Sequence, residues 1–465
     1  MTTQAGRSPW AYFSWKIGPR CDTFNWTKKL TISEDIFVPT SLANAKNNIE
    51  TCGPPHLWEY AKKITNPYEL VYTYKKPNIP KNISLGQPLS RSYFKIIEIL
   101  KLSGFFQARH SQPALRTAHV CEGPGGFIEG IHEIAGRLHL KVQSSHAMTL
   151  RSTEPHVPGW RRAQNFLHRH RQVKIGYGSD GTGDILKAEN RADFINYVRS
   201  ANPHGVNIFT ADGGFDFTAD YLRQEKTIFP LLCASIHVGF SVLAAHGMIV
   251  LKIFDFFEPA TIELILFLSS HFNNWNIYKP VTSRPCNSEQ YFIGSGFRGC
   301  KPEDLAQLEK LVEFNNIPQR LFTSSFSSAT RDNIFVNTFN DIHVQRSNSL
   351  SKQIDFLEKA QTLTGIWASS CATMSQATLG EELRSLWSEC QSNSLAFCRY
   401  FDMYFLPPTP VTCDFVLPVA PVDLDGTDGE DNVPPDEFPQ SSTPDVDSFA
   451  HVPSDPSCEA STEVE

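Results

Sequence analysis

A glycine-rich turn at residues 122–126 does most to constrain how this 465-residue chain can fold. A strand pattern at 117–121 runs directly into Glu-Gly-Pro-Gly-Gly, and a helical pattern follows at 127–138. A strand, a glycine turn and a helix in immediate succession form the first unit of a doubly wound sheet. Such glycines let the backbone approach a ligand closely, and the helix N-terminus offers free N–H groups. The alternative is a tight turn that binds no ligand.

Strand and helix patterns continue to alternate along the chain, which predicts an α/β fold with a mainly parallel sheet and helices on both faces. A helix is expected at 90–102, with Ser90 as its N-cap. Further strands are predicted at 141–150, 206–211, 248–253, 275–280 and 290–295, and further helices at 188–199, 221–243 and 259–272. Helical patterns at 303–314, 352–363 and 379–395 predict a helical C-terminal appendage.

Charge is distributed unevenly. Residues 411–465 hold 14 acidic residues and no Lys or Arg, which leaves 42 basic and 35 acidic residues in the first 410, a net charge of +7. A mildly basic body fits an RNA partner but is equally typical of an ordinary surface. Pro, Asp and Ser dominate from about 407, so we expect a disordered acidic tail at 407–465.

Targeting signals are weak. The apolar stretch at 228–254 is interrupted by His237, Gly239, His246, Gly247 and Lys252. It therefore predicts a buried helix and strand, and no association with a membrane. The 11 cysteines form no Cys-x-x-Cys pair, which favours a reducing compartment. We expect a cytoplasmic location, with the nucleus as the alternative.

Charged residues stand at three further predicted strand ends. Asp212 follows a buried strand and precedes Gly-Gly, and Lys252 lies within an apolar run. A polar stretch at 279–289 precedes the last predicted strand. Strand ends of a doubly wound sheet line its ligand crevice. The alternatives are a turn aspartate, a lysine at a sheet margin and a polar surface loop.

The glycine spacing is not the G-x-G-x-x-G of a pyrophosphate site, which disfavours a dehydrogenase. An acidic residue beside packed glycines better suits a ligand with an amino-acid end, such as S-adenosylmethionine. Taken together, the chain resembles the FtsJ/RrmJ-like ribose 2′-O-methyltransferases, and among them the Adrift-type mRNA cap methyltransferases. The segments that carry the resemblance are SRSYFKIIEIL, HVCEGPGGF, GTGDILKAEN, FTADGGFD, VLKIFDFF and KPVTSRPCNSEQYF, within about residues 90–295.

The resemblance implies a methyltransferase domain at 81–300, between an N-terminal extension at 1–80 and a helical region at 301–406. It implies S-adenosylmethionine as cofactor, capped mRNA as partner and no metal. The implied catalytic set is Lys95, Asp212, Lys252 and Glu289. The implied cofactor contacts are Cys121, Glu122, Gly123, Pro124, Gly125, Gly126, Phe127, Asp184 and Ile185. Lys279, Arg284 and Asn287 are candidates for contacts with RNA.

One departure from the family pattern concerns the second predicted strand. The family has an acidic residue at its end, but His-Ala-Met-Thr-Leu supplies none before Glu154. Lys252 is the candidate general base for a ribose 2′-hydroxyl, and a purely steering role remains the alternative. Other functions left open are 2′-O-methylation of ribosomal or transfer RNA and a catalytically inactive RNA-binding scaffold. The helical region and the tail are expected to recruit protein partners.

Overall fold

The computed structural model describes residues 13–20, 24–35, 37–73, 79–109, 114–152, 154, 157–215, 222–323, 333–370, 376–405 and 417. Of the predicted tail, only Leu417 lies within this set. Eight strands form one sheet in these residues, in the order β1-β7-β8-β6-β5-β2-β3-β4. The strands are β1 (Lys16–Ile17), β2 (Ala114–Val120), β3 (Lys141–Met148), β4 (Val173–Gly176), β5 (Val206–Ala211), β6 (Leu243–Ile253), β7 (Phe272–Tyr278) and β8 (Gln290–Phe297).

Five neighbouring strands, from β4 to β6, run parallel, while β8, β7 and β1 pair in antiparallel fashion. The mainly parallel sheet is therefore confirmed. Parallel strands need crossover connections, which the helices supply. The helices are α1 (Thr40–Asn47), α2 (Pro55–Ile64), α3 (Ser92–Leu102), α4 (Gly126–Arg137), α5 (Gln164–Arg169), α6 (Ala188–Ala201), α7 (Gln224–Val242), α8 (Pro259–Ser270), α9 (Pro302–Phe314), α10 (Asn333–Ser370) and α11 (Gln376–Tyr400).

Helices cover both faces of the sheet, as predicted. Buried side chains of α6, α7, α8 and α9 share one apolar cluster, and those of α3 and α4 belong to another. The stretch at 228–254 is a buried helix followed by a strand, as expected. No helix in the described residues combines the length and apolarity needed to cross a lipid bilayer.

Some local predictions were wrong. The strand expected to include Cys121 ends at Val120, because Cys121 adopts a left-handed conformation with φ of 55°. Ser90 does not cap α3; Arg91 occupies the N-cap position without a side-chain cap bond, and Ser90 Oγ lies 2.5 Å from Ser92 Oγ. The short strand β4 was not predicted, since its four residues carry little periodic signal.

The C-terminal helices extend beyond their predicted limits and pack against the N-terminal part of the chain. Helices α10 and α11 share an apolar cluster with α1 and α2. Trp387 of α11 is fully buried there, and its Nε1 donates a hydrogen bond to the hydroxyl of Tyr60, 3.0 Å away. Segments from opposite ends of the sequence thus form one helical layer.

The loop at residues 279–289 between β7 and β8 is anchored to α3 by the buried carboxylate of Glu98. Glu98 Oε1 accepts hydrogen bonds from the Tyr278 hydroxyl at 2.5 Å and from the Val281 backbone N–H at 2.9 Å. Burial raises the pKa of Glu98 to about 7, although these hydrogen bonds favour the charged form. The 279–289 loop is therefore fixed to the helix that carries Lys95.

Changing Glu98 to Gln should stabilise the protein at neutral and alkaline pH. The ordinary pKa of Glu98 is 4.5 and its folded value is about 7, so folded wild type binds a proton that the unfolded chain has lost between these values. Its free energy of unfolding therefore falls as pH rises through this range, whereas Gln cannot ionise. Urea unfolding should show nearly equal stabilities at about pH 4 and a gain of up to about 3 kcal/mol for the variant at about pH 8. A difference that does not change with pH would contradict this account.

Candidate active site

Four charged side chains from distant parts of the chain meet at the carboxyl edge of the sheet. Lys95 Nζ lies 2.9 Å from Glu289 Oε1, and Lys252 Nζ lies 3.0 Å from Asp212 Oδ1. Lys252 also donates to the Asp212 carbonyl oxygen at 3.1 Å. The structure thus brings the four predicted catalytic residues together as two ion pairs.

The topology explains why these residues meet. Asp212 follows the last residue of β5, Lys252 is the next-to-last residue of the adjacent strand β6, and Glu289 directly precedes β8. Strand β8 pairs antiparallel with β6, so its start lies beside the end of β6. Carboxyl ends of parallel strands share one edge of a doubly wound sheet, where ligands bind. Helix α3 supplies Lys95 at the same edge.

Tyr291 connects the two ion pairs, and sequence reasoning missed it. Its hydroxyl donates to Asp212 Oδ1 at 2.7 Å and lies 3.2 Å from Glu289 Oε1. Tyr291 is fully buried and is the cross-strand neighbour of Lys252. The alternation of side chains along a strand could have indicated this role, because Glu289 and Tyr291 are two positions apart and therefore share a face.

Burial and neighbouring charges affect the two carboxylates differently. Burial alone would raise the pKa of Glu289, but the ammonium groups of Lys95, Lys252 and Lys279 lower it well below its usual range. Burial raises the pKa of Asp212, despite the opposing effects of Lys252 and Lys95. Glu289 is therefore a permanent anion, whereas Asp212 takes up a proton more readily than an ordinary aspartate.

The two ion pairs also differ in accessibility. The side chains of Lys95 and Glu289 are 0% and 6% exposed, whereas those of Lys252 and Asp212 are each 11% exposed. A reactant that entered from solvent would therefore meet the Lys252–Asp212 pair first, while the Lys95–Glu289 pair supports it from within.

The predicted glycine turn lies next to this cluster. Phe127 is fully buried and its ring centroid is 5.6 Å from that of Tyr291. A Cβ placed on Gly213, the residue after Asp212, would come 3.0 Å from Cys121 Cβ. The Gly123–Pro124 peptide bond is cis. The two sites predicted from separate motifs are therefore neighbours.

The glycines of the turn allow close packing of the backbone. Gly125 has φ of +110°, a conformation that side chains rarely adopt, and a Cβ there would lie 3.4 Å from Leu89 and Trp160. A Cβ on Gly126 would come 2.3 Å from the hydroxyl oxygens of Ser90 and Ser92. Helix α4 can therefore begin directly against the start of α3.

Glu122 offers an unsatisfied acceptor in the turn. Its Oε1 accepts a hydrogen bond from the Thr210 hydroxyl, whereas Oε2 is buried without a hydrogen-bond partner among the described residues. Burial and the nearby Asp212 carboxylate raise the pKa of Glu122 well above its usual range. A cationic ligand group at this position would offset both effects.

Asp184 and Ile185 belong to an ordered turn before α6. Asn190, which is fully buried, donates to the Asp184 carbonyl oxygen at 3.0 Å and to Asp180 Oδ1 at 2.8 Å. Asp184 Oδ1 accepts from the Leu186 N–H at 2.9 Å, and Ile185 is buried in the core. Burial raises the pKa of the Cys121 thiol, and the nearby carboxylates of Glu122 and Asp184 raise it further. A Cβ on Gly183, the residue before Asp184, would overlap the carbonyl oxygen of Thr149, whose hydroxyl accepts a hydrogen bond from Gly123 of the glycine turn. The two turns therefore lie on either side of Thr149.

The second predicted strand is β3, and Thr149 follows its last residue at the position where the family pattern has an acidic residue. Thr149 is buried, and its hydroxyl accepts a hydrogen bond from the Gly123 N–H at 3.3 Å. Glu154 is an exposed residue farther along the chain. Thr149 therefore holds the glycine turn, and no acid stands at this strand end.

The three residues predicted to contact RNA form hydrogen bonds or an ion pair with other parts of the protein. Lys279 Nζ donates to Asn287 Oδ1 at 2.7 Å and to the carbonyl oxygens of Asn287 and Glu289, each at 2.8 Å. Burial lowers the pKa of Lys279 to about 8, against the attraction of Glu289. Arg284 is paired with the buried Glu69. These side chains shape the 279–289 loop, and contact with RNA remains a prediction for them.

Comparison with known proteins places this architecture in a family. The model of the FtsJ-like methyltransferase family matches residues 88–297, which include all four charged residues of the cluster and the glycine turn. A relative from Trypanosoma brucei brucei, named cap-specific mRNA (nucleoside-2′-O-)-methyltransferase 1, is 30% identical over 289 residues, 59% of this chain and 74% of that protein.

Two other relatives are longer proteins. One from Dictyostelium discoideum with the same name is 31% identical over 56% of this chain, and one from Danio rerio, named cap-specific mRNA (nucleoside-2′-O-)-methyltransferase 2, is 33% identical over 43%. The chain spans about a third of the former's length and about a quarter of the latter's. The family match and the coverage of the trypanosome relative together establish that the chain belongs to the FtsJ-like methyltransferase family.

Proposed function

We propose that the protein transfers a methyl group from S-adenosylmethionine to a ribose 2′-hydroxyl near the 5′ cap of mRNA. The observation that carries this proposal is the pairing of Lys95 with Glu289 and of Lys252 with Asp212 beside the glycine turn. The names of the three relatives supply the cap as the substrate class. The first and the second transcribed nucleotides are both candidate positions.

The residues of the glycine turn fit S-adenosylmethionine. The buried Oε2 of Glu122, which has no hydrogen-bond partner within the described part of the chain, is suited to accept a hydrogen bond from the amino group at the methionine end. The backbone from Cys121 to Phe127 would hold the ligand at the start of α4, and Asp184 would contact it from the turn before α6. The cofactor supplies an activated methyl group on a sulfonium, a chemistry that requires no metal ion.

The Lys252–Asp212 pair is suited to manage the proton of the attacking hydroxyl. A 2′-hydroxyl must lose its proton as the oxygen attacks, and a positioned base assists this step. The raised pKa of Asp212, caused by burial, lowers the cost of the state in which that carboxyl holds a proton and the Lys252 amine is free to accept one. Lys95 and Glu289 hold the surrounding charges in place, and much of the acceleration would come from orienting the reactants.

The intact cluster argues against the alternative of an inactive scaffold, since both ion pairs have bonding geometry. Methylation of ribosomal or transfer RNA uses the same chemistry, so only the choice of RNA substrate distinguishes it from methylation of capped mRNA. We therefore propose an assay with radiolabelled cofactor on matched short RNAs, capped and uncapped. Transfer to the ribose of capped RNA supports the proposal, and equal or greater transfer to uncapped RNA would redirect it to the alternative substrates.

Changing Lys252 to Ala should abolish methyl transfer while leaving cofactor affinity largely intact. Lys252 pairs with Asp212, whereas the proposed amino-group contact belongs to Glu122, so the substitution removes the proton acceptor and leaves the acceptor of that contact in place. We expect a rate at least about a thousandfold lower, in the range typical for loss of a catalytic base with its positioning effect. Lys359→Ala, which alters an exposed residue of α10, provides the control. A Lys252→Ala enzyme as fast as wild type would remove this assignment.

Changing Gly125 to Val should weaken binding of S-adenosylmethionine by at least about tenfold, because Val strains a backbone held at positive φ. Its side chain would also occupy the space beside Leu89 and Trp160. Calorimetric titration with the cofactor measures the effect, and circular dichroism checks that the variant is folded. Gly136→Val in α4 is a matched control, because a Cβ there meets no atom within 4 Å beyond the adjacent backbone of its own helix. Unchanged cofactor affinity in folded Gly125→Val would refute the prediction.

A further inference from the structure

Glu69 joins the N-terminal extension to both sides of the Lys95–Glu289 pair. We propose that Glu69 is a positioning residue that fixes the 279–289 loop, and with it Glu289, in the geometry needed for methyl transfer. This inference rests on the proposed function. Glu69 lies in a short 3-10 turn (Glu69–Val71), in a part of the chain for which the sequence patterns predicted no role.

Both carboxylate oxygens of Glu69 are engaged, and the residue is fully buried. Arg284 of the 279–289 loop donates through Nη2 to Oε1 at 3.1 Å and through Nε to Oε2 at 3.2 Å. Thr73 Oγ1 donates to Oε1 at 2.8 Å, and Asn66 Nδ2 donates to Oε2 at 2.7 Å. The two-point contact fixes the direction of the Arg284 side chain as well as its distance.

A second arginine connects Glu69 to α3. Arg91 Nη2 lies 3.7 Å from Glu69 Oε2 and donates to the Thr282 carbonyl oxygen at 2.7 Å. Arg91 also donates to the Tyr72 carbonyl oxygen. Arg91 is the N-cap residue of α3, four positions before Lys95, and Arg284 is five positions before Glu289. Glu69 therefore braces both segments that supply the inner ion pair.

Glu69 keeps its negative charge, so its contacts with Arg284 and Arg91 persist. Burial would raise the pKa of Glu69, but the guanidinium groups of Arg284 and Arg91 lower it to about 2. The carboxylate is therefore ionised throughout the pH range in which the enzyme would act. Removing it would leave two arginines near a buried site without their counter-charge, which is strongly unfavourable.

The remainder of the loop is held at its two stems. Glu98 binds the N–H of Val281 at the start, and Lys279 binds the carbonyl oxygens of Asn287 and Glu289 at the end. The contact of Arg284 with Glu69 holds the middle of the loop. Because Glu69 is buried and acts through Arg284 and Arg91, its effect on catalysis would be indirect.

The test compares Glu69→Gln with wild type in three measurements on the full chain. Cofactor affinity by calorimetry should change less than about twofold, since the glycine turn is untouched. The single-turnover rate at saturating capped RNA, per cofactor-binding site, should fall about 10- to 100-fold, as expected when a reacting group is displaced by about 1 Å. Hydrogen exchange measured by mass spectrometry should accelerate in residues 279–289.

Glu263→Gln is the matched control. Glu263 is also buried and bound to an arginine, with Arg320 Nε at 2.6 Å from Oε1 and the Leu321 N–H at 2.6 Å from Oε2. A general loss of stability should affect both variants alike, whereas displacement of the 279–289 loop should occur only in Glu69→Gln. If Glu69→Gln does not fold, Arg284→Lys keeps the positive charge and removes the two-point contact, and should show the same reduced rate and faster exchange.

The outcomes separate this inference from the proposed function. A wild-type protein that methylates neither capped nor uncapped RNA would overturn the proposed function, while hydrogen exchange would still test the brace. An active wild type with an unchanged single-turnover rate and unchanged exchange in folded Glu69→Gln would overturn the positioning role. If only the concentration of RNA needed for half-saturation rises, Glu69 serves substrate binding and the inference is also overturned.

Discussion

The inner ion pair between Lys95 and Glu289 is the contact on which the rest of this site depends. An ammonium group with no solvent exposure is tolerated only where an anion and hydrogen bonds compensate it, and Glu289 supplies both. The requirement extends outward, because Glu289 lies on a long loop and needs its own supports. Four residues support it or its loop through hydrogen bonds: Tyr291, Lys279, Glu98 and Glu69. A small charged centre thus accounts for polar residues over a much larger part of the molecule.

Much of the sheet and of the charged cluster could be predicted from sequence, because strand ends and helix periods are local signals. The bounds of the strand at 206–211 were predicted correctly, and Asp212 after β5 does lie beside Lys252 near the end of β6. The glycine turn was recognisable because its backbone conformation restricts the residue types that fit it. The expectation that Asp212 and Lys252 would meet required only the rule that parallel strands share a carboxyl edge.

Other features could not be predicted, since they depend on contacts between distant segments. Arg284 is a candidate RNA contact by its place in the 279–289 stretch, and nothing near it in sequence reveals that Glu69 lies against it, 215 positions away. The role of Tyr291 depends on Asp212, which its hydroxyl meets from 79 positions away. Helices α10 and α11 were predicted shorter than they are, because their apolar side chains pack against segments that are distant in sequence, among them α1, α2 and the turn Glu69–Val71. Burial of this kind overrides local propensity.

The separation in sequence between Lys95 and Glu289 has a consequence for synthesis of the protein. Their partner atoms are 194 positions apart, and Trp387 reaches Tyr60 across 327. A ribosome-bound chain that has emerged only as far as β6 holds Lys95, Asp212 and Lys252, with two cations and one anion and without the tyrosine that links them. Translation must therefore pass β8 before each ammonium group at this edge of the sheet has its carboxylate. It must complete α11 before the helical layer of α1, α2, α10 and α11 can form.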